Sequence, residues 1–332
     1  MSLFSIRKLA GAGLLALSAL AVFPAHAADK VRIGYWTSGV SLGYGSVLEA
    51  TDFLARHGIE AQYVHFPEVN GPIRALAAGS IDLAFGAPLA GVFSAAAEGV
   101  PVRIFAATQP ADVQFVVPAD SPIQHLQELK GKKIGMSPAG SSVAAIASAV
   151  LSGNHGIAAN DFSLIGGNES RLVQFVAQKQ VDGAALRSVT IAQLGDALQV
   201  RRLGSFAQEW QKLTRSDAVP YIGVGTASAA FADQQPEVVA RVIAGLRDTL
   251  AWGKSHPDEI VAILRKSANL PEADARAYVS LWDSMNRASF EPEEIDTLRR
   301  QHQVFAESGL VKGALDDSLF STQPYALSKN IR

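Results

Sequence analysis

A run of small polar residues, Ser137-Pro138-Ala139-Gly140-Ser141-Ser142, stands directly before an apolar segment with helical composition, Val143–Leu151. The first backbone N–H groups of a helix have no partner within the helix, and its dipole makes this end positive, so anions bind there. Plain N-capping needs one hydroxyl, whereas Ser137, Ser141 and Ser142 offer three. The run therefore predicts a site for an anionic group, with simple capping by one serine as the alternative.

Arg187 directly follows a predicted strand, Val181–Leu186. A guanidinium in this place can pair through two parallel N–H bonds with a sulfonate, a carboxylate or a nitrate. The alternative is a structural salt bridge or a solvated side chain. Glu169 with Ser170 or Asn70 is a faint hint of acid–base chemistry, and Glu169 is more simply an acidic residue in a first helical turn.

Four aromatic residues fall at the ends of predicted strands. They are Tyr35, Trp36, Phe85 and Tyr221. Small-molecule sites are mostly apolar with a few polar groups, so these rings are candidates for the wall of a pocket. The alternative is ordinary core packing, and Trp36 is the strongest candidate because it lies where a strand passes into a turn.

The elements that would position these residues follow a strand–helix order. The segments are Val31–Trp36 (strand), Leu42–Arg56 (helix), Glu60–Phe66 (strand), a helix from Asn70 to Gly79, and Ile81–Phe85 (strand). This order predicts a parallel α/β sheet. Ligands of such sheets bind outside the carboxyl ends of the strands, where Ser38 and Asn70 also fall.

The same order recurs further along the chain. Three matches support this: Lys133-Ile134-Gly135 with Arg32-Ile33-Gly34, His155-Gly156-Ile157 with His57-Gly58-Ile59, and Val181-Asp182-Gly183-Ala184 with Ile81-Asp82-Leu83-Ala84. We therefore expect two similar, Rossmann-like α/β lobes. The predicted boundaries are residues 28–110 for the first part of lobe 1, 111–217 for lobe 2, and 218–332 for the return segment. The helices of that return segment, Glu237–Trp252, Asp258–Lys266, Ala273–Met285 and Pro292–Ser308, are expected to pack on lobe 1.

Composition excludes several classes of protein. The 332 residues contain no Cys, which excludes disulfides, thiolate metal sites and Cys nucleophiles, and a net charge of −2 without a basic patch disfavours nucleic-acid binding. The sequence has no G-x-S-x-G, H-E-x-x-H or Walker motif, and no His spacing typical of metal ligands. Nothing in these motifs requires an enzyme, and we expect no cofactor and no metal; an enzyme on the same fold is the alternative.

The N-terminus has the three parts of a secretory signal peptide. Arg7 and Lys8 are followed by the apolar run Leu9–Val22 and by the cleavage pattern Ala25-His26-Ala27. A membrane anchor is the alternative, but the run is shorter than the roughly 20 residues that span a bilayer. Residues 1–27 are therefore predicted to be removed, and the mature chain is predicted to be soluble in the periplasm without a lipid anchor.

Three segments carry a resemblance to a known family. Arg74–Ala84 (RALAAGSIDLA) and Leu126–Gly135 (LQELKGKKIG) resemble segments of the periplasmic solute-binding proteins for taurine, alkanesulfonates and nitrate, and Pro236–Val239 resembles a helix start in their returning lobe. The resemblance implies the type II periplasmic binding protein fold, with a hinge between two lobes. It also implies a monomer that presents its solute to an ABC permease and the permease's ATPase.

The resemblance further implies a solute held between the lobes by Trp36, Ser38, Asn70, Ser137, Ser141, Ser142 and Arg187. A sulfonate, such as an alkanesulfonate or a taurine-like compound, or a carboxylate is expected. Taurine binders carry an aromatic residue near the position of Arg187, which argues against taurine itself. Nitrate, an aromatic carboxylate and a thiamine-precursor pyrimidine are the alternatives.

Overall fold

Two five-stranded sheets organise the chain in a computed structural model that describes residues 28–195 and 198–331. The predicted signal peptide lies outside the described residues. The strands are Asp29–Trp36 (β1), Ile59–Phe66 (β2), Leu83–Pro88 (β3), Val102–Pro110 (β4), Val113–Pro118 (β5), Lys133–Met136 (β6), Ser163–Gly166 (β7), Gly183–Arg187 (β8), Val200–Ser205 (β9) and Tyr221–Ser228 (β10).

Helices follow most of the strands. They are Gly39–Ala50 (α1), Phe53–Arg56 (α2), Gly71–Ala77 (α3), Leu89–Ala97 (α4), Ser142–His155 (α5), Glu169–Ala177 (α6), Ser188–Leu194 (α7), Phe206–Thr214 (α8), Ala229–Gln234 (α9), Pro236–Ser255 (α10), Pro257–Ser267 (α11), Glu272–Ser280 (α12), Trp282–Met285 (α13), Pro292–Glu307 (α14) and Thr322–Ser328 (α15). Leu126–Leu129 and Asp317–Leu319 are 3₁₀ turns. Within these described ranges, no helix combines the length and the apolarity needed to cross a bilayer.

The two sheets have the same internal plan. Their strand orders are β2-β1-β3-β10-β4 and β7-β6-β8-β5-β9. The sequence predicted parallel sheets, but β10 runs antiparallel to β3 and β4, and β5 runs antiparallel to β8 and β9. Both exceptions follow a crossing between the sheets. The chain passes between the two sheets at one edge, so the strand that follows each passage starts at that edge and runs away from it. The other strands of the sheet end at that edge and therefore have the opposite direction.

Two predicted helices are interrupted. Leu42–Arg56 is split into α1 and α2 because Thr51 takes an extended conformation, with φ −113° and ψ 163°. The segment 273–285 is divided between α12 and α13. The C-terminal helices contact the first sheet and its helices, as α10 does with α2 and β2, while α12 and α14 also touch α7 and α5 of the second lobe. The exact domain boundaries stay predictions.

The sheets are covered by apolar helix faces. On α10, Val239, Ile243 and Leu246 are almost completely buried, and each such side chain contributes roughly 1.5–3 kcal/mol when it leaves water. Pro236, Pro257 and Pro292 stand at the first positions of their helices, where the missing N–H costs nothing. These helices give the carboxyl ends of the strands a rigid support.

Candidate functional site

The carboxyl ends of the parallel strands of both sheets meet at one cleft. Trp36 ends β1 and Arg187 ends β8, and the Arg187 Cζ atom lies 5.0 Å from the centroid of the Trp36 ring. Nearby, the backbone N–H of Ala90 at the start of α4 donates to Ser142 Oγ of α5 at 3.1 Å. One partner in each pair belongs to each lobe, so the two lobes touch here.

Arg187 is held in a buried ion pair. Its Nη1 donates to Glu169 Oε1 and to Ser137 Oγ, the latter at 3.2 Å, and Glu169 Oε2 accepts a hydrogen bond from Thr190 Oγ1. Arg187 is 5 % and Glu169 is 7 % exposed. A buried guanidinium needs a compensating charge, and Glu169 supplies it. The structural salt bridge, given as the alternative for Arg187, is therefore formed, and neither Glu169 nor Thr190 was predicted as its partner.

The Nε edge of this guanidinium makes no hydrogen bond within the described part of the chain. The Nε of Arg187 is buried and has no hydrogen-bond partner among the described residues. Both hydrogen bonds of this side chain within the described part of the chain leave from Nη1. Because buried donors are nearly always paired, the free Nε–H marks a place where a bound molecule can supply an acceptor.

The three predicted serines lie together but already accept hydrogen bonds. Ser137 accepts from Arg187, Ser141 caps α5 by accepting from Ala144 N at 3.2 Å, and Ser142 accepts from the other lobe. A hydroxyl keeps one donor of its own after accepting a bond. The N-terminus of α5 is therefore capped by a serine, as the alternative interpretation predicted. Its serine hydroxyls can still donate to an anionic group.

Asn70 and Ser38 approach the same region from lobe 1. The Oδ1 atom of Asn70 is buried without a partner in the described chain. Its Nδ2 atom would lie 3.3 Å from a Cβ placed on Gly140, so Asn70 faces the serine-rich loop of lobe 2. Ser38 precedes α1 and makes no capping bond through its side chain.

Gly39 allows the lobes to approach. Its φ is +55°, and a Cβ placed on it would lie 3.1 Å from Cδ and 3.2 Å from Nε of Arg187. Its carbonyl accepts a hydrogen bond from the Tyr278 hydroxyl at 2.9 Å. Burial raises the pKa of Tyr278 above its ordinary value, so the hydroxyl remains a donor and fixes the turn.

Three predicted wall aromatics lie elsewhere. Tyr35 and Phe85 stack at 4.9 Å inside the core of lobe 1, and the Tyr35 hydroxyl is bound to Glu49. Tyr221 lines a separate groove beside the crossings. These assignments to the cleft wall are corrected: successive strand residues point to opposite faces, so Trp36 and Ile222 face the cleft while their neighbours Tyr35 and Tyr221 do not.

The enclosed space at the cleft is small. The inner cavity, which Trp36 and Arg187 line together with Gln109 and Ile222, has a volume of about 10 Å³, room for about one water. Trp36 also lines an outer cavity of about 220 Å³, together with Glu68 and Arg171. The lobes are closed upon each other, and an organic solute needs them to separate before it enters. Gln109 and Ile222 were not predicted.

Nothing in this geometry forms a metal centre. Over the part of the chain that the structure describes, no three His, Asp or Glu side chains gather in a way that could hold a metal ion. Glu169 is engaged at both oxygens by Arg187 and Thr190. The cleft is thus built from hydrogen-bond donors, a helix N-terminus and an indole ring.

The fold is that of the type II periplasmic binding proteins, with two α/β lobes about a cleft. The alkanesulfonate-binding protein SsuA from Xanthomonas axonopodis pv. citri, solved bound to MOPS, superimposes with a TM-score of 0.72 at 21% identity, over 86% of this chain and 95% of that one. The fold also carries an enzyme: the desulfurization enzyme DSZB matches with a TM-score of 0.61 at 15% identity, over 91% of this chain and 99% of that one. The fold class predicted from the sequence is confirmed.

The family model named NMT1/THI5 like matches residues 47–260, and the chain belongs to this family. A Brucella abortus (strain 2308) protein named "Putative binding protein" is 27% identical over 314 residues, covering 90% of this chain and 92% of its own. An Escherichia coli (strain K12) protein named "Putative aliphatic sulfonates-binding protein" is 25% identical over 329 residues, covering 94% of each chain. The predicted relationship to solute-binding proteins is confirmed.

Proposed function

We propose that this chain is the solute receptor of an ABC importer, exported to the periplasm, which closes its two lobes on a small organic anion. The observation that carries the proposal is the buried, unpartnered Nε–H of Arg187 at the contact between lobes. A receptor of this kind needs a solute that makes contacts with both lobes, because only such contacts favour the closed state. The names of the relatives in Brucella and Escherichia support the receptor role.

A sulfonate or a carboxylate fits the donors of the cleft. With Nη1 committed to Glu169 and Ser137, the remaining edge of the guanidinium can hold two oxygens of one acidic group. The N-terminus of α5 adds its backbone dipole and the free hydroxyl protons of Ser141 and Ser142. The name of the relative in Escherichia supports a sulfonate as the first choice of solute.

A receptor for a neutral heterocycle is the second candidate. Glu169 cancels the charge of Arg187, so the inner cleft has no net side-chain charge from this pair. Asn70 Oδ1 adds a buried acceptor without a partner. The buried Nε–H of Arg187 as donor and Asn70 Oδ1 as acceptor suit a ring such as a pyrimidine. Catalysis is less well supported, since both oxygens of Glu169 are occupied within the protein.

A thermal-shift screen distinguishes these candidates. The mature chain from Ala28 is refolded to remove carried-over solute and is heated with matched pairs, such as benzoate with benzamide and butanesulfonate with butanesulfonamide, and with nitrate and a pyrimidine. A ligand at 100 times its Kd stabilises the folded chain by about 2.7 kcal/mol, so a clear rise in Tm is expected for sulfonates or carboxylates. A rise in Tm with the neutral compounds alone would favour the receptor for a heterocycle. No rise in Tm with any compound would contradict the receptor role.

Ser142→Ala removes the direct hydrogen bond between the lobes together with the hydroxyl proton that Ser142 offers to a solute. Losing the hydrogen bond from Ala90 N should lower solute affinity about fivefold, because a neutral hydrogen bond contributes about 1 kcal/mol and 1.4 kcal/mol is tenfold. The measurement is the Kd of the solute found by the screen. Ser94→Ala is the control, since the Ser94 hydroxyl bonds to Ala90 O within α4. Equal effects of both substitutions would show that the contact between lobes plays no part in binding.

A further inference from the structure

A cavity of about 500 Å³ lies beside the two segments where the chain crosses between the lobes. Pro110 and Tyr221 pair across β4 and β10 and line this cavity, which we call the hinge groove. Their neighbours Gln109 and Ile222 line the cleft instead. Because successive strand residues face opposite sides, the groove and the cleft lie on opposite faces of the crossing strands.

Both lobes and both crossings form the hinge groove. Ser284 and Thr297 come from lobe 1, Gln114 and Ala207 come from lobe 2, and 218–219 belong to the returning crossing. The volume is about 500 Å³, within the range of small-molecule sites. Because the groove and the cleft lie on opposite faces of the crossing strands, a rotation about these strands that opened the cleft would narrow the groove.

Tyr221 gives the groove a polar group that is free to bind a ligand. Its side chain is 8 % exposed and lines the groove, and its hydroxyl makes no hydrogen bond within the described part of the chain. Burial, and then the charge of Glu294, raise the pKa of Tyr221 to about 12. The phenol is therefore protonated at ordinary pH and can both donate to and accept from a molecule in the groove.

The charges around the groove are mainly negative. Asp112, Glu293 and Glu294 line the groove together with one cation among its described lining residues, Arg287, whose Nη1 donates to the carbonyl oxygens of Asp283 and Asn286. Asp112 Oδ1 already accepts a hydrogen bond from Ser188, and Glu294 Oε2 accepts one from Glu291 N, so Glu293 is the carboxylate available to a ligand in the described chain. The apolar floor between them includes Ala111, and the exposed side chain of Val219 adds an apolar edge. An apolar floor beneath a negatively charged rim suits a small cation with an apolar ring.

We propose that the hinge groove is a second ligand site, which takes a small aromatic amine and favours the closed state of the cleft when it is filled. The amine's ring lies on the apolar floor, and its ammonium group faces the carboxylates and the Tyr221 hydroxyl. Filling the groove opposes the rotation that would narrow it, so occupancy and solute binding strengthen each other. The coupling rests on the proposed two-lobe receptor function.

Calorimetric titration with phenethylamine tests the site itself. We expect saturable binding with 1:1 stoichiometry, at least fivefold tighter than 2-phenylethanol, which has the same ring without the charge. Tyr221→Phe removes only the hydroxyl and should weaken phenethylamine at least threefold, and Glu293→Gln should weaken it to a similar extent. Absence of saturable binding, equal affinity for the alcohol, or unchanged binding by Tyr221→Phe would each overturn the site.

Energy transfer between two labels tests the coupling. The chain has no Cys, so Gln62→Cys on β2 and Gln174→Cys on α6 place one dye on an exposed position of each lobe. We expect saturating phenethylamine to shorten the mean distance between the dyes, and the groove-filling variants Ala207→Phe and Ser284→Phe to do the same without the amine. An unchanged or longer distance with saturating phenethylamine would overturn the coupling.

The same labelled chain separates this proposal from the receptor function. A solute from the anion and heterocycle panel should shorten the distance through the cleft, whether or not the groove binds amines. If the panel closes the lobes and phenethylamine does not, the receptor function stands and the hinge-groove proposal fails. If neither closes them, the receptor function fails as well.

Discussion

Arg187→Ala is expected to lower the free energy of unfolding by about 3–5 kcal/mol, because it leaves the buried carboxylate of Glu169 without its cation. The side chains of this pair are 6% and 9% exposed, so water screens them little. The same change should weaken an anionic solute at least tenfold, since hydrogen bonds to charged groups contribute roughly 1.5–3 kcal/mol. Chemical denaturation and calorimetric titration measure the two effects separately.

A second substitution at the same pair distinguishes the loss of a charge from the loss of packing. Arg187→Met with Glu169→Gln removes both charges and keeps much of the volume, so most of the lost stability should return. Solute binding should not return with it, because the guanidinium donors stay absent. Lys254→Ala, at an exposed ion pair with Asp283, is the control and should leave stability unchanged. A small effect of Arg187→Ala on unfolding would show that the pair is solvated in solution.

The order of strands and helices could be predicted because it depends on local signals. The strand pattern of β1 and the glycine at a helix end recur in both lobes, Pro marks the start of α10, and the structure has the two sheets that these signals indicate. The antiparallel strands could not be predicted in this way. The direction of β10 depends on the side from which the chain re-enters lobe 1. The local sequence of Tyr221–Ser228 does not indicate that side.

The cleft was only partly predictable for a related reason. Strand ends place Trp36 and Arg187 correctly, because the edge at which a strand ends is a property of the sheet. The choice between neighbours depends on the pleat, which assigns Tyr35 to the core and Trp36 to the cleft. The partnership of Arg187 with Glu169 and Thr190 joins three separate elements, so it appears only once these elements are packed together.

Gly39→Ala is expected to weaken solute binding about tenfold beyond its effect on folding. The residue has φ +55°, and a Cβ in this region costs roughly 1–2 kcal/mol. The added methyl group would also press on Arg187, which the Glu169 and Ser137 hydrogen bonds prevent from swinging aside. The two lobes would then close less completely. A solute that contacts both lobes would lose its contacts with one of them.

Gly79→Ala provides the matched control for this prediction. Gly79 has φ +68°, and a Cβ placed there meets nothing within 4 Å, so the backbone strain is similar and the steric contact is absent. Both variants should lose a similar amount of stability in chemical denaturation, while only Gly39→Ala should raise the Kd of the solute. Equal Kd values would mean that the contact of Gly39 with Arg187 is not retained in the solute-bound form. A raised Kd would locate part of the closing energy at the point where the turn before α1 meets the guanidinium.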